Sequence, residues 1–320
     1  MDGVNAPGAQ ITIVGSGSIG VAFAVLFARA GIATVVTDVD RAAIDRARGD
    51  LLLRLALLNS AGMLSATPDE VAERVRFEVD ILAAVADADL VQECAPERIE
   101  IKRSVFEAIG DAAPARAVLA SSSSAIPPSE IAQELPEAVA PRVIVGHPGN
   151  PPYLLPVIEV VPTSRTSAET VKRARFLYAA AGLRPVTVRR EVEGFVFNRL
   201  QGALLREAYC LVRDGVADVE DIDEIVRSGL GRRWSIIGPF ETSDLNTRGG
   251  IASHAVKMGP AYERMGAERG QHDPWTPELV EAVTERRRSV LPLEDWDERV
   301  RWRDAQLLAH TPMWEAATDA

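Results

Sequence analysis

Residues 11–40, ITIVGSGSIGVAFAVLFARAGIATVVTDVD, restrict the possible folds more than any other part of the chain. ITIV is a β-branched run closed by glycine, which marks a buried strand. SIGVAFAVLFARA has helical apolar spacing and stops at Gly31, and ATVVTD reads as a second strand. Between the first strand and the helix, Gly15-Ser16-Gly17-Ser18-Ile19-Gly20 fits G-x-G-x-x-G. Gly15 permits the tight turn, Gly17 lets a pyrophosphate approach the backbone, and Gly20 lets helix and strand pack closely. The N–H groups of the helix N-terminus then meet the phosphates. Asp38 closes the second strand, 18 residues past Gly20. An acid there accepts the ribose hydroxyls of NAD and repels the 2′-phosphate of NADP. Arg41 lies near enough to leave some NADP tolerance, and the bland alternative is a tight turn with an exposed aspartate.

Strand and helix signals go on alternating. Strands are expected at 75–79, 88–94, 117–122, 142–147 and 156–161, with amphipathic helices at 40–58 and 97–113. This pattern predicts an α/β chain whose N-terminal half is a Rossmann-type, doubly wound, mostly parallel sheet. Ligands in such sheets bind beyond the carboxyl ends of the strands, so Ser124 and His147 should face the cofactor crevice. Past residue 192 the strand signals stop, and 194–215, 219–231 and 276–291 look helical. The expected organisation is an NAD-binding domain at 1–192 and an all-helical substrate and dimerisation domain at 193–320. A net charge of -11 argues against nucleic acid or an anionic membrane as partner. Lysine occurs only at 102, 172 and 257, a bias consistent with GC-rich coding. Cys94 and Cys210, far apart in sequence, suit a reducing cytoplasmic compartment. The first ten residues lack the basic start and apolar core of a signal peptide, and runs such as 21–28 are too short to cross a bilayer. No metal site is expected.

GHPGNPPYLLPVIEV (146–160) sets one histidine among four prolines and returns a glutamate, Glu159, twelve residues after His147. With VGSGSIG, QECAPERIEIKRSVF, ASSSSAIPPSEIA, EGFVFNRLQGALLREA and GLGRRWSIIGPFETSDLN in the same order, the chain resembles the 3-hydroxyacyl-CoA dehydrogenase superfamily over nearly its whole length. HPGNPPY and the GLGRRW segment look closest to the L-gulonate 3-dehydrogenase and lambda-crystallin branch, with carnitine 3-dehydrogenase a near relative. The resemblance implies NAD-dependent oxidation of a 3-hydroxyl, with His147 and Glu159 as the catalytic pair. The chemistry is sound: imidazole titrates near neutrality and suits a base that takes the hydroxyl proton, while a carboxylate on its other nitrogen fixes the tautomer. Without that context, a packed histidine and a strand-surface glutamate would be the simpler reading.

Further roles follow from the resemblance alone. Ser124 matches the serine that bonds the substrate hydroxyl, and Asn198 the asparagine that completes that pocket. Asn150 matches an organiser of the pair and a substrate-side residue, while Glu97 and Lys102 match residues near the nicotinamide ribose. As an i,i+5 pair, Glu97 and Lys102 would otherwise read as solvated surface. Gly149 replaces a larger apolar residue and Ala125 a small polar one, which leaves the pocket shape open. Residues 41–101 hold no lysine to grip CoA phosphates, although Arg54, Arg74 and Arg76 could substitute. Arg233 aligns with an arginine of the gulonate-type segment, and a guanidinium is the natural clamp for a free carboxylate. Three readings stand: an NAD-dependent dehydrogenase of a small polar 3-hydroxycarboxylate, a 3-hydroxyacyl-CoA dehydrogenase, and a non-enzymatic dinucleotide-binding structural protein. The first is favoured, and the resemblance implies a homodimer built through the helical domain.

Overall fold

The computed structural model describes residues 6, 8–271 and 276–318. The chain divides into two compact units, Met1–Leu205 and Arg206–Ala320. The first holds β1 (Gln10–Val14), α1 (Ser18–Arg29), β2 (Ala33–Thr37), α2 (Arg41–Ser60), α3 (Pro68–Ala72), β3 (Val75–Glu78), α4 (Ile81–Val85), β4 (Leu90–Glu93), α5 (Ile99–Ala112), β5 (Val118–Ser121), α6 (Pro128–Ala132), β6 (Val143–Pro148), β7 (Val157–Pro162), α7 (Ala168–Ala180) and β8 (Arg184–Thr187). The strands form one sheet in the order β3-β2-β1-β4-β5-β6-β7-β8, and only the β6–β7 pairing is antiparallel. This is the expected doubly wound architecture. Its order reverses between β1 and β4, where the chain crosses from one face of the sheet to the other.

Each face of the sheet carries its own core. Phe23 and Phe27 of α1, Leu51 and Leu55 of α2, and Tyr178 of α7 cover one side. Phe106 and Ile109 of α5 and Ile131 of α6 cover the other, with Phe195 closing that layer. Every residue from Gly20 to Ala28 is buried. That explains why α1 reads as apolar all round rather than as a one-faced amphipathic helix.

The second unit is helical: the end of α8 (Phe197–Arg213), α9 (Val219–Glu224), a π-helical stretch at Ile225–Leu230, α10 (Gly231–Trp234), α11 (Pro239–Leu245), α12 (Gly250–Ala267), α13 (Pro277–Arg288) and α14 (Trp296–Thr318). Asp244 on α11 is its polar centre, accepting from the Ile251 N–H at 2.8 Å and pairing with Arg287 and Arg288. The division between the two compact units falls inside α8, at Leu205.

Candidate active site

A cavity of about 670 Å³ opens at the carboxyl ends of β1, β2 and β4, where the strand order reverses. Gly15, Ser16, Gly17, Asp38, Ile81 and Val105 contribute to its lining. The chain itself demands two of the three motif glycines. Gly15 has φ +105°, and a Cβ there would lie 2.7 Å from the Cys94 carbonyl oxygen. A Cβ at Gly20 would lie 1.9 Å from the Gly15 carbonyl oxygen. Gly17 differs, since its φ of −69° suits any residue and an added Cβ would meet nothing within 4 Å. Nothing in the fold requires glycine at that position, which leaves its backbone open to a ligand. Gly17 is also the N-cap of α1, with no side-chain cap and no acid in the first turn, so the helix N-terminus is left for an anion.

Asp38 sits beside this loop. Its Oδ2 accepts the backbone N–H and the hydroxyl of Ser16, both at 2.8 Å, and its Oδ1 accepts the Asp40 N–H at 3.0 Å. Burial alone would push the carboxyl up, but these donors together outweigh it and hold it below the ordinary range. The arginine lining the cavity is Arg46, held 3.3 Å from Asp40, rather than Arg41. A free-backbone glycine, an uncapped helix start and a fixed anion at the end of β2 fit the pyrophosphate and ribose of NAD. Ser18 carries a different load. Its carbonyl and hydroxyl oxygens accept from Arg54 at 3.1 and 3.0 Å.

On the far side of the sheet, register joins His147 to Glu159. They are direct partners in the antiparallel β6–β7 pairing, so twelve residues of separation close into a contact of 2.8 Å between Nδ1 and Oε2. His147 is 5% exposed and Glu159 4%, so the pair is shielded from screening. The second carboxylate oxygen is used as well: Oε1 accepts the N–H groups of Val196 at 2.8 Å and Phe197 at 3.1 Å, where α8 begins. With Nδ1 assigned to Glu159, Nε2 is the nitrogen able to take a proton. The rings of Phe195 and Phe197 flank the imidazole, with centroids at 5.6 and 6.2 Å. The spacing of the pair was legible in the sequence, but the role of the α8 backbone was not.

Ser124 is exposed just past β5, and its carbonyl accepts from Asn198 Nδ2 at 3.2 Å, which ties that loop to the first turn of α8. Asn150 is exposed, and among the described residues no hydrogen bond joins it to His147 or Glu159. The contacts on the second oxygen of Glu159 come from the Val196 and Phe197 backbone. Gly149 is buried, and Val157 and Leu155 fill the space its side chain would take, with an added Cβ 3.0 Å from Val157 Cγ1. The smaller residue is therefore compensated within its own loop.

Glu97 and Lys102 are not a solvated helix pair. Lys102 is 1% exposed, and its Nζ lies 3.0 Å from both oxygens of the buried Glu93 and 3.2 Å from Glu97 Oε2. Burial pushes the Glu93 carboxyl up, against the pull of Lys102 and the Ser121 hydroxyl. Glu97 Oε1 gathers the Ser123 hydroxyl and the N–H groups of Ser124 and Ala125, fixing the loop that presents Ser124. Its carboxyl is lowered: burial opposes the anion, but Ser123, Lys102 and the Ala125 N–H prevail. The sequence reading missed Glu93, Ser121 and Ser123. The glutamate closing LVQE and the serine run after β5 were the available signals.

In the second unit, Arg233 is half-buried on α10, and among the described residues its guanidinium makes no hydrogen bond or ion pair. The acids of ETSDLN are paired with arginines of the same unit. Glu241 pairs with Arg287 and Arg299, and Asp244 with Arg287 and Arg288. The arginines offered as CoA grips are likewise engaged: Arg54 with Asp50 and Ser18, Arg74 with the Ala28 carbonyl, Arg76 with Glu78.

Sequence profiles of two domains match the chain: the 3-hydroxyacyl-CoA dehydrogenase NAD binding domain over residues 10–192, and the 3-hydroxyacyl-CoA dehydrogenase C-terminal domain over 194–291. A 3-hydroxyacyl-CoA dehydrogenase of Gibberella moniliformis is 38% identical, covering 93% of this chain and 92% of its own. Lambda-crystallin of Oryctolagus cuniculus is 34% identical, over 92% and 93%. L-carnitine dehydrogenase of Pseudomonas aeruginosa is 41% identical, over 76% and 75%. Among solved structures, an NAD+-dependent 5-formyl-3-hydroxy-2-methylpyridine 4-carboxylic acid 5-dehydrogenase superposes with a TM-score of 0.71 at 32% identity, covering 96% of this chain and 98% of its own.

Proposed function

Because this chain belongs to the 3-hydroxyacyl-CoA dehydrogenase family, an NAD-using oxidoreductase family, we propose that it oxidises the 3-hydroxyl of a small polar 3-hydroxycarboxylate, of the L-gulonate or L-carnitine kind, to the 3-keto acid. The buried His147–Glu159 pair carries this reading. NAD, when bound, supplies the hydride acceptor. Gly15, Ser16, Gly17, Ser18, Ile19 and Gly20 hold its pyrophosphate, Asp38 its adenosine ribose, and Glu97 and Lys102 order the loop near its nicotinamide ribose. As the carbon gives up its hydride, His147 Nε2 takes the hydroxyl proton, and the C–O bond becomes a carbonyl. Glu159 stabilises the imidazolium that results. Ser124 and Asn198, joined through the Ser124 carbonyl, orient the hydroxyl.

Arg233 supports a free carboxylate as the far end of the substrate, since a guanidinium without a protein partner suits one. The commitments of Arg54, Arg74 and Arg76 argue in the same direction, against a CoA phosphate. So do the L-carnitine dehydrogenase relative and the structural neighbour that acts on a pyridine carboxylic acid. The relative from Gibberella moniliformis favours the second reading, a 3-hydroxyacyl-CoA dehydrogenase. Lambda-crystallin suggests a structural protein, but the intact contacts among Ser124, His147, Glu159 and Asn198 support an enzyme. In this reading the protein works as a homodimer through its helical domain. It works in the cytoplasm, in keeping with the free Cys94 and Cys210. Among the described residues no helix is long and apolar enough to cross a membrane.

The test is a screen of NADH formation on free hydroxy acids and on their CoA thioesters. Turnover of the free acids with weak use of the thioesters is the expected result, and the reverse hands the function to the second reading. His147→Ala should lower kcat by about 10²–10⁴, the usual share of a positioned base, with NADH affinity unchanged. Near-wild-type turnover in that variant would remove the mechanism.

A further inference from the structure

The backbone just before α8 is unusual. Gly194 has φ +72° and Phe195 φ +49°, and Phe195 is the positive-φ non-glycine residue among those described. An aromatic side chain opposes the left-handed region, so packing must hold it there. Phe195 is fully buried in the core layer beneath β6, its ring beside His147, and its N–H is bonded to the Val192 carbonyl at 3.0 Å. This turn aims two consecutive N–H groups, Val196 and Phe197, at one oxygen of Glu159. Val196 is the residue whose carbonyl starts the helix ladder, accepting from Leu200 at 3.0 Å. The two donors are therefore orphan N–H groups of a 17-residue helix, at the positive end of its dipole.

We propose that the left-handed turn at Phe195 and the first N–H groups of α8 set the proton affinity of His147 by acting on Glu159, which makes Phe195 and Phe197 positioning residues. The inference rests on His147 being the base. The two donors fix the carboxylate plane so that Oε2 meets Nδ1, and they draw charge from it. A carboxylate with dispersed charge stabilises an imidazolium less, so the donors temper the pull of Glu159 on the ring. Other ionisable groups around the pair are engaged elsewhere or exposed. Tyr178 of α7 donates to Gln92 Oε1, and Glu191 accepts the Ser129 N–H. The Glu193 and Arg199 side chains are exposed, and β8 presents Val186 opposite Glu159. On β4 and α5, Glu93 and Lys102 are paired to each other.

Phe197→Pro and Phe197→Ala separate the backbone from the ring. Both lose the aromatic edge on His147, but only proline loses the N–H to Glu159, and proline is well accepted at a first helical position. The readout is the pH at which the His147 imidazole titrates in the intact protein, followed by ¹H–¹⁵N correlation and assigned by comparison with His147→Gln. Phe197→Pro should titrate about half a pH unit above Phe197→Ala, a fraction of what one hydrogen bond to a charged group contributes. Equal titration in the two variants overturns the proposal. If Phe197→Pro does not fold, Phe195→Gly against Phe195→Ala carries the test. Glycine keeps the left-handed turn and should keep the titration near that of the wild type, whereas alanine should raise it; coincidence of the two also overturns the proposal. Failure of His147 as the base would show separately, as retained turnover in His147→Ala, because the titration needs no substrate.

Discussion

If NAD binds as proposed, Asp38 presents a negative charge at the 2′ position of its ribose, and Ser16 holds Asp38 Oδ2 through both its N–H and its hydroxyl. A 2′-phosphate would meet that anion directly, so kcat/KM with NAD should exceed that with NADP. Asp38→Ala should narrow the ratio by about tenfold or more, a change of about 1.4 kcal/mol. Comparable kcat/KM for both cofactors in the wild type would show that Arg46 has taken up the phosphate instead. Arg233 answers a different question. If it clamps a free carboxylate, Arg233→Ala leaves that charge desolvated and unpaired, at a cost of roughly 2–5 kcal/mol. Free-acid kcat/KM should then fall at least tenfold while NADH affinity holds, and Arg233→Lys should recover only part because it lacks the two-pronged contact. Unchanged free-acid turnover in Arg233→Ala would dismiss the clamp.

The loop between β5 and α6 shows how a whole element depends on one acid. Glu97 takes the Ser123 hydroxyl and two backbone N–H groups, while Lys102 bridges it to Glu93. Because its folded carboxyl is lowered from 4.5, the stabilisation that Glu97 provides is complete above that value. It is lost as the pH falls through the lower folded value. The Tm gap between wild type and Glu97→Gln should therefore be full at neutral pH and shrink below about pH 4.5. A gap that stays constant into acid would mean the loop is held by packing alone. The same element marks a limit of sequence reading. The i,i+5 spacing of Glu97 and Lys102 looks like helix surface, whereas the lysine is buried at the carboxyl ends of the central strands β4 and β5, where Glu93 receives it and the Ser121 hydroxyl donates to the same carboxylate.

At the scale of the molecule, α8 leaves apolar side chains in solvent. Leu200 is 63% exposed, Leu205 44% and Tyr209 76%. Its sequence is amphipathic, yet none of its residues is buried in the chain, and such a face suits a self-complementary contact. Light scattering at micromolar concentration should give the mass of a dimer, twice 34.5 kDa. Leu200→Glu with Tyr209→Glu should shift it toward monomer. A monomeric wild type would remove the homodimer from the proposal.

Much was already local in the sequence. The glycines at 15 and 20, the strand runs, the uniformly apolar α1 and the acid closing β2 follow from sterics and burial among near neighbours, so they could be read without coordinates. The spacing of His147 and Glu159 was legible too, since a proline-rich loop between two strands can return one residue to the other. Tertiary structure alone decided the rest. The antiparallel turn of β7, in a sheet otherwise parallel, set the register that joins the pair. Packing of Phe195 against the core aimed the α8 backbone at Glu159, and burial converted Lys102 from surface to strut. Each of these depends on groups distant in the chain, where the free energy of a contact is set by what packs around it and not by the residues beside it in sequence.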